Sequence, residues 1–252
     1  MELKKIKSRK GIGHVEFIIS FVIFVSFVLI IFVIFNPFKK PANTSLVDSV
    51  YFNLEENLTS VLSSVSINVN TGNIPPGTNC LEIDYLPEMN CGGIEGRNLI
   101  VKNLSGDIIG SSLNDAQNPT LIRFSYSRGN GFYTFYCSDE LKLISNSFTV
   151  CTDIDVDDDY QLGIIRERKV WSEKRLNSFE QQYNSNYEEI KKKVISEGND
   201  FGFLVTDLDN VVDINATSQR PSRGNIFAKT FPIDTINENA EIQKHTIIVL
   251  MW

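Results

Sequence analysis

Nineteen consecutive residues, Phe17 to Phe35, carry no charge, no glycine and no proline, and only Ser20 and Ser26 interrupt their apolar side chains. A helix of that length reaches roughly 28 Å, close to the ~30 Å hydrocarbon core of a bilayer. In water such a Phe-, Ile- and Val-rich run favours strand, whereas lipid offers unpaired backbone groups no partner and selects helix. The run therefore reads as a single transmembrane helix. Lys4, Lys5, Lys7, Arg9 and Lys10 precede it while Lys39 and Lys40 follow, a bias that keeps the N-terminus cytoplasmic and sends the remainder out. A cleaved secretory signal fits less well, because its apolar region is shorter and ends in small residues, unlike Asn36-Pro37-Phe38-Lys39-Lys40.

The expected organisation is a basic leader over 1–11, a transmembrane helix over 12–38, an amphipathic helix or stalk over 39–70, and an extracytoplasmic β-rich head over 71–252. From Pro41 onward 17 Lys and Arg oppose 29 Asp and Glu. A head that negative repels phosphate backbones, so nucleic acid is excluded as a partner, and an anionic bilayer surface repels it too.

After Pro41, Leu46, Val50, Leu54, Leu58, Val61, Leu62 and Val65 follow helical spacing, which extends the amphipathic helix to about Ser66. From Asn70 the text turns strand-like. Leu99 to Lys102 and Asp107 to Ile109 flank a hairpin turn, and Leu121 to Ser127 and Phe132 to Cys137 flank Arg128-Gly129-Asn130-Gly131, a second hairpin signal. Phe148 to Val156 alternates as a strand, and Tyr160 to Trp171 is read the same way. Ser172 caps one helix to about Ile195, with Leu176, Phe179, Tyr183, Tyr187, Ile190 and Val194 as its buried stripe. Strands follow at Phe201 to Thr206, Val211 to Ile214, Asn225 to Ile233 and Ile242 to Trp252. The fold class is α+β: the long transmembrane helix continues into an amphipathic helix, then an antiparallel β-rich head with one further helix.

The cysteines Cys80, Cys91, Cys137 and Cys151 form no C-x-x-C pair, and their even number in an exported head favours disulfides over zinc. Three connectivities are open; local pairing of Cys80 with Cys91 and of Cys137 with Cys151 is favoured. Of the two histidines, His14 sits at the membrane edge and His245 reads as a strand residue with a satisfied ring. No nucleophile motif accompanies either, so no catalytic residue, cofactor or enzyme activity is expected. Asp153, Asp155 and Asp157 are weak calcium candidates that fail the EF-hand pattern. Asn43, Asn57, Asn103 and Asn215 each open an N-x-Ser/Thr sequon and are glycosylation candidates.

The junction Arg9-Lys10-Gly11-Ile12-Gly13-His14-Val15-Glu16-Phe17 resembles the leader of type IV prepilins, most closely the archaeal class III signal peptide. The resemblance implies cleavage after Gly11 by a prepilin-type peptidase, Ile12 as the new N-terminus, and Glu16 as the carboxylate that pairs with a neighbouring subunit's ammonium during assembly. It implies a structural, adhesive cell-surface subunit, minor or at the tip, with the membrane and other pilin-like subunits, of its own or another kind, as partners. The alternative is a non-polymerising, signal-anchored ectodomain acting as a binding module or accessory of a surface machine.

Overall fold

The computed structural model describes residues 12–35, 42–84, 97–114, 121–144, 146–195, 198–220 and 225–252. The chain divides into two units, residues 1–46 and 47–252.

In the first unit, helix α1 occupies Ile12–Phe35. Its side chains are described from Glu16 to Ile31, where Phe17, Phe21, Phe24 and Phe27 stand exposed. The expected single-pass topology is corrected: among the described residues, no helix is long and apolar enough to cross a membrane. The cytoplasmic N-terminus, the extracytoplasmic head, the membrane-assembled pilin-like subunit and the signal-anchored alternative all rested on that span, and they fall with it.

Helix α2, Ala42–Leu58, leads into the second unit and buries Val47, Val50, Leu54 and Leu58 along one stripe. It stops eight residues before the expected Ser66, because Thr59–Val69 is strand β1. The Val61, Leu62 and Val65 spacing that continued the helical stripe competes with a Ser- and β-branched-rich alternation suited to a pleat. Pairing decides the contest, since β1 runs antiparallel to three other strands and sits inside the sheet.

The remaining strands are β2 (Cys80–Asp84), β3 (Asn98–Asn103), β4 (Ile108–Ile109), β5 (Ser111–Asn114), β6 (Leu121–Ser125), β7 (Phe132–Ser138), β8 (Thr152–Asp153), β9 (Tyr160–Leu162), β10 (Arg166–Ser172), β11 (Phe201–Thr206), β12 (Val212–Ala216), β13 (Phe227–Ile236) and β14 (Ile242–Met251). Among the described residues they form a ten-stranded sheet in the order β12-β11-β14-β13-β10-β1-β7-β3-β4, with β9 beside β1, and a four-stranded sheet in the order β5-β6-β2-β8. Pairs β10/β13 and β2/β8 are parallel, so the expected antiparallel head is corrected to two mixed sheets.

The expected hairpin across Arg128-Gly129-Asn130-Gly131 is corrected as well. Both flanking strands exist, but β6 pairs with β2 and β5 while β7 pairs with β1 and β3. The turn carries the chain from one sheet to the other, and Phe124 meets Tyr133 and Phe135 edge-on across the core, with ring centroids 5.0 and 5.3 Å apart. Val65, Ile67, Leu99 and Val101 belong to this core, while Leu62 and Ile100 face a second cluster with Val170 and Ile236. Strands β1 and β3 are thus apolar on both faces, as interior strands should be.

Two helices, not one, follow β10: α3 (Glu173–Ser185) and α4 (Tyr187–Val194), separated at Asn186. Ser172 caps α3 as its sequence indicated, its hydroxyl accepting from the Arg175 N–H at 3.0 Å. All six residues of the expected stripe are buried. Phe179 packs on Phe203 and Tyr183 on Phe201, and the Tyr183 hydroxyl donates to the Phe201 carbonyl at 2.6 Å. The break at Asn186 leaves this stripe unbroken, which is why periodicity alone did not show it.

The disulfide joins Cys80 to Cys151, so the pairings Cys80–Cys91 and Cys137–Cys151 are corrected. The parallel register of β2 and β8 sets Leu81 beside Thr152, and the preceding residues of each strand therefore stand abreast. Cys137 is also disulfide-bonded, and no described cysteine is free; Cys91 lies outside the described residues.

Candidate functional site

Four chemically active side chains converge beneath α3. Strand register places Ile233 opposite His245 and Thr235 opposite Gln243, so Thr235 and His245 lie diagonally on one face of β13 and β14. Their side chains meet at 2.8 Å between Oγ1 and Nδ1. Asp213 arrives through an irregularity: along β11, Val205 pairs with Ile214 but Thr206 pairs with Val212, which leaves Asp213 as the extra residue. Such a bulge re-aims a side chain. Here it brings Asp213 Oδ2 within 3.1 Å of His245 Nε2.

Glu173 is supplied by the start of α3. Because β10 runs parallel to β13 with Trp171 beside Thr235, the first residue beyond the Ser172 cap stands over Thr235. The Glu173 carboxyl faces the same crevice as Thr235, and its pKa is raised, chiefly by burial. His245 and the Thr235 hydroxyl draw it down, and Asp213 and Glu241 push it up. Together with Asn177 and Gln243 these groups line a crevice of about 230 Å³. On its far side the His245 ring also borders a cleft of about 430 Å³ floored by Tyr51 and Trp171 and edged by Lys169, Asp234 and Lys244. Tyr51 there is stacked on Phe231, with ring centroids 3.9 Å apart.

The row Asp213, His245, Thr235 has the residue types of a nucleophile relay but not an accessible nucleophile. The Thr235 hydroxyl and His245 Nδ1 share one hydrogen bond, whose donor is set by the imidazole tautomer. Thr235 is also 1% exposed, which hides it from a substrate. The row instead fixes the orientation of two carboxylates, Glu173 and Asp213, that share one small polar space.

Of the residues singled out in the sequence, His245 is buried on β14 with both ring nitrogens engaged. Gly11 lies outside the described residues, as does the side chain of Asn43; Ile12 opens α1 and Glu16 is exposed on it. Asn57 is exposed at the end of α2 with its amide donating to the Asn53 carbonyl at 2.6 Å, Asn103 is half-buried with its amide donating to Asp107 Oδ2 at 3.2 Å, and Asn215 is exposed on β12. Asp155 sits in a turn closed on itself, where Asp159 N–H donates to the Asp155 carbonyl at 3.0 Å and Asp155 N–H to the Asp159 carboxylate at 3.2 Å. Asp153 stands in β8, and no group of three potential metal ligands forms among the described residues. Glu173, Asp213 and Thr235 carried no sequence signal, because each comes from a different element and only the bulge and the parallel β10/β13 pairing unite them.

No protein-family model, no curated protein and no solved structure matches the chain. The prepilin resemblance, carried by one short junction, is corrected accordingly: neither kinship nor a described membrane-crossing helix supports it.

Proposed function

We propose that this is a non-catalytic, disulfide-stapled binding protein whose crevice under α3 receives a basic group of its ligand, an ammonium or a guanidinium. The observation that carries this reading is the placement of Glu173 and Asp213 on one crevice of about 230 Å³, held there by His245 and Thr235. Asn177 and Gln243 add neutral hydrogen-bonding groups, a lining suited to a cation with several N–H donors. Nucleic acid is not a partner in this reading, since its phosphates would meet two carboxylates.

Calorimetric titration of the full chain with arginine amide and lysine amide tests it, with glycine amide as control. Binding of the two basic amides is expected, weakened at least tenfold in Glu173→Gln and in Asp213→Asn. A raised folded-state pKa means that Glu173 favours folding below its unfolded value and loses that contribution as pH rises through the folded one. At neutral pH Glu173→Gln therefore does not unfold the protein, and a loss of affinity reports the site. For the same reason binding should weaken as pH falls through the Glu173 transition. Equal heats for all three amides, or unchanged affinity in both variants, would overturn the proposal.

A further inference from the structure

One face of the ten-stranded sheet changes character along its length. Antiparallel register puts Ser64 beside Arg166 of β10 on one side and beside Tyr136 of β7 on the other, with Ser66 beside Thr134. These residues share a face with Leu62, Arg168 and Phe132, since side chains alternate along each strand. Toward Leu62 that face is closed by the second core cluster, in which Leu62, Ile100, Val170 and Ile236 are buried and against which Tyr136 and Ile242 pack. Beyond Tyr136 the apolar residues give way to Ser64, Ser66, Thr134 and Arg166, and the face opens into a crevice of about 400 Å³ edged by Phe132 and Ile164.

The lining of this crevice runs against the composition of the chain. The protein has 24 Lys and Arg against 31 Asp and Glu, yet the crevice holds two arginines, Arg166 and Arg168, and no carboxylate. Both are exposed and, two positions apart on one strand, they are rooted roughly 6–7 Å from each other on the same side. Among the described residues, arginine ion pairs are made by Arg97, Arg123, Arg168 and Arg175, and none by Arg166. The Arg168 pair, with Asp234 at 3.5 Å, is exposed at both ends and holds the guanidinium weakly. Ser64, Ser66 and Thr134 present three half-buried hydroxyls beside the two arginines. A third cation lies next along: Lys102, opposite Thr134 on β3, holds its ammonium 5.6 Å from the Tyr136 ring centre and donates to the Ala240 carbonyl at 3.0 Å.

Guanidinium forks match the oxygens of a phosphate, and the hydroxyls can donate to the oxygens that the forks leave over. A carboxylate has only two oxygens and would leave most of these donors idle. Phe132, 37% exposed, and Ile164, 72% exposed, form an apolar wall for the body to which the phosphate is attached. A small ester meets this patch alone, whereas a nucleic-acid backbone would run on over the acidic remainder.

We propose that this crevice binds a small organic phosphate monoester, with Arg166 and Arg168 on the phosphate, Ser64, Ser66 and Thr134 completing its hydrogen bonds, and the organic body against Phe132 and Ile164. The site shares no lining residue with the crevice beneath α3 and stands independently of it.

Calorimetric titration of the full chain with phenyl phosphate tests the assignment, with inorganic phosphate and phenol as comparisons. Phenyl phosphate should bind saturably, inorganic phosphate about tenfold more weakly for want of the apolar contact, and phenol not measurably. Arg166→Met and Arg168→Met should each weaken phenyl phosphate about tenfold. Glu173→Gln, in the other crevice, and Lys192→Met, exposed on α4, should leave it unchanged. No saturable heat with phenyl phosphate, inorganic phosphate binding as tightly as the ester, or unchanged affinity in both arginine variants overturns the proposal. So does a loss in Glu173→Gln or Lys192→Met equal to that in the arginine variants.

Discussion

Replacing Cys80 and Cys151 together by serine is expected to lower the unfolding free energy by about 4 kcal/mol. The bond closes a loop of sequence separation 71, and loop-closure entropy of that length gives about this figure. In a unit covering residues 47–252, each kcal/mol moves the melting temperature by roughly 2–4 °C, so a fall of roughly 8–16 °C should be seen by calorimetry. The double substitution is the right variant, because a reductant would also attack the disulfide that holds Cys137. The consequence should be local first. β8 is two residues long and is fastened to β2 by the bond, by two register pairs and by the Thr78 and Thr152 hydroxyls 3.3 Å apart. Amide exchange at Thr152 and Asp153 should therefore accelerate before the rest of the sheet opens. A change under about 1 kcal/mol would mean that β8 is held by something other than this bond.

Arg175→Met is the second large effect, expected to cost about 3 kcal/mol in urea unfolding. Glu140 is 7% exposed and receives the Ser172 hydroxyl at 2.6 Å and Arg175 Nε at 2.5 Å. The same guanidinium donates to the Thr59 carbonyl at 2.8 Å and to Asp139 at 2.6 Å, and so ties the end of α2, the loop after β7 and the cap of α3 to one another. Removing it strands a buried carboxylate, for which losses of about 3–5 kcal/mol are typical. The lower figure applies because the Arg175 side chain is 34% exposed and water reaches the pair. Pairing the change with Glu140→Leu should recover much of the loss, since the orphaned charge is then gone. If the double variant is no better than Arg175→Met, the guanidinium acts mainly through Thr59 and Asp139.

What could be read in the sequence follows the range of the interactions involved. The Ser172 cap and the stripe from Leu176 to Val194 were legible because capping and helical burial are decided within a few residues. Strands at Phe201 and Ile242 were legible from β-branched runs. Pairing was not: Asn130-Gly131 between aromatic alternating segments is a strong local hairpin signal, yet Phe124 and Tyr133 gain more by facing each other across two sheets than by lying in one. The Cys80–Cys151 bond was hidden for a similar reason, since it depends on a parallel alignment of β2 and β8 that no local pattern encodes. Residues 59–66 fit both a helical stripe and a strand, and only the three partners of β1 settle which. At the site, His245 was recognisable as a satisfied ring, whereas Asp213 depends on a bulge and Glu173 on a parallel pair. Neither leaves a trace in spacing.

The crevice beneath α3 is best tested by a two-dimensional amide NMR titration of the full chain with arginine amide. Saturable shifts should gather at Glu173, Asn177, Asp213, Thr235, Gln243 and His245, with Tyr51 and Lys169 across the ring little changed. Shifts centred instead on the Tyr51 and Trp171 cleft, or shifts that grow linearly without saturation across the whole acidic surface, would contradict a basic-group site at Glu173 and Asp213.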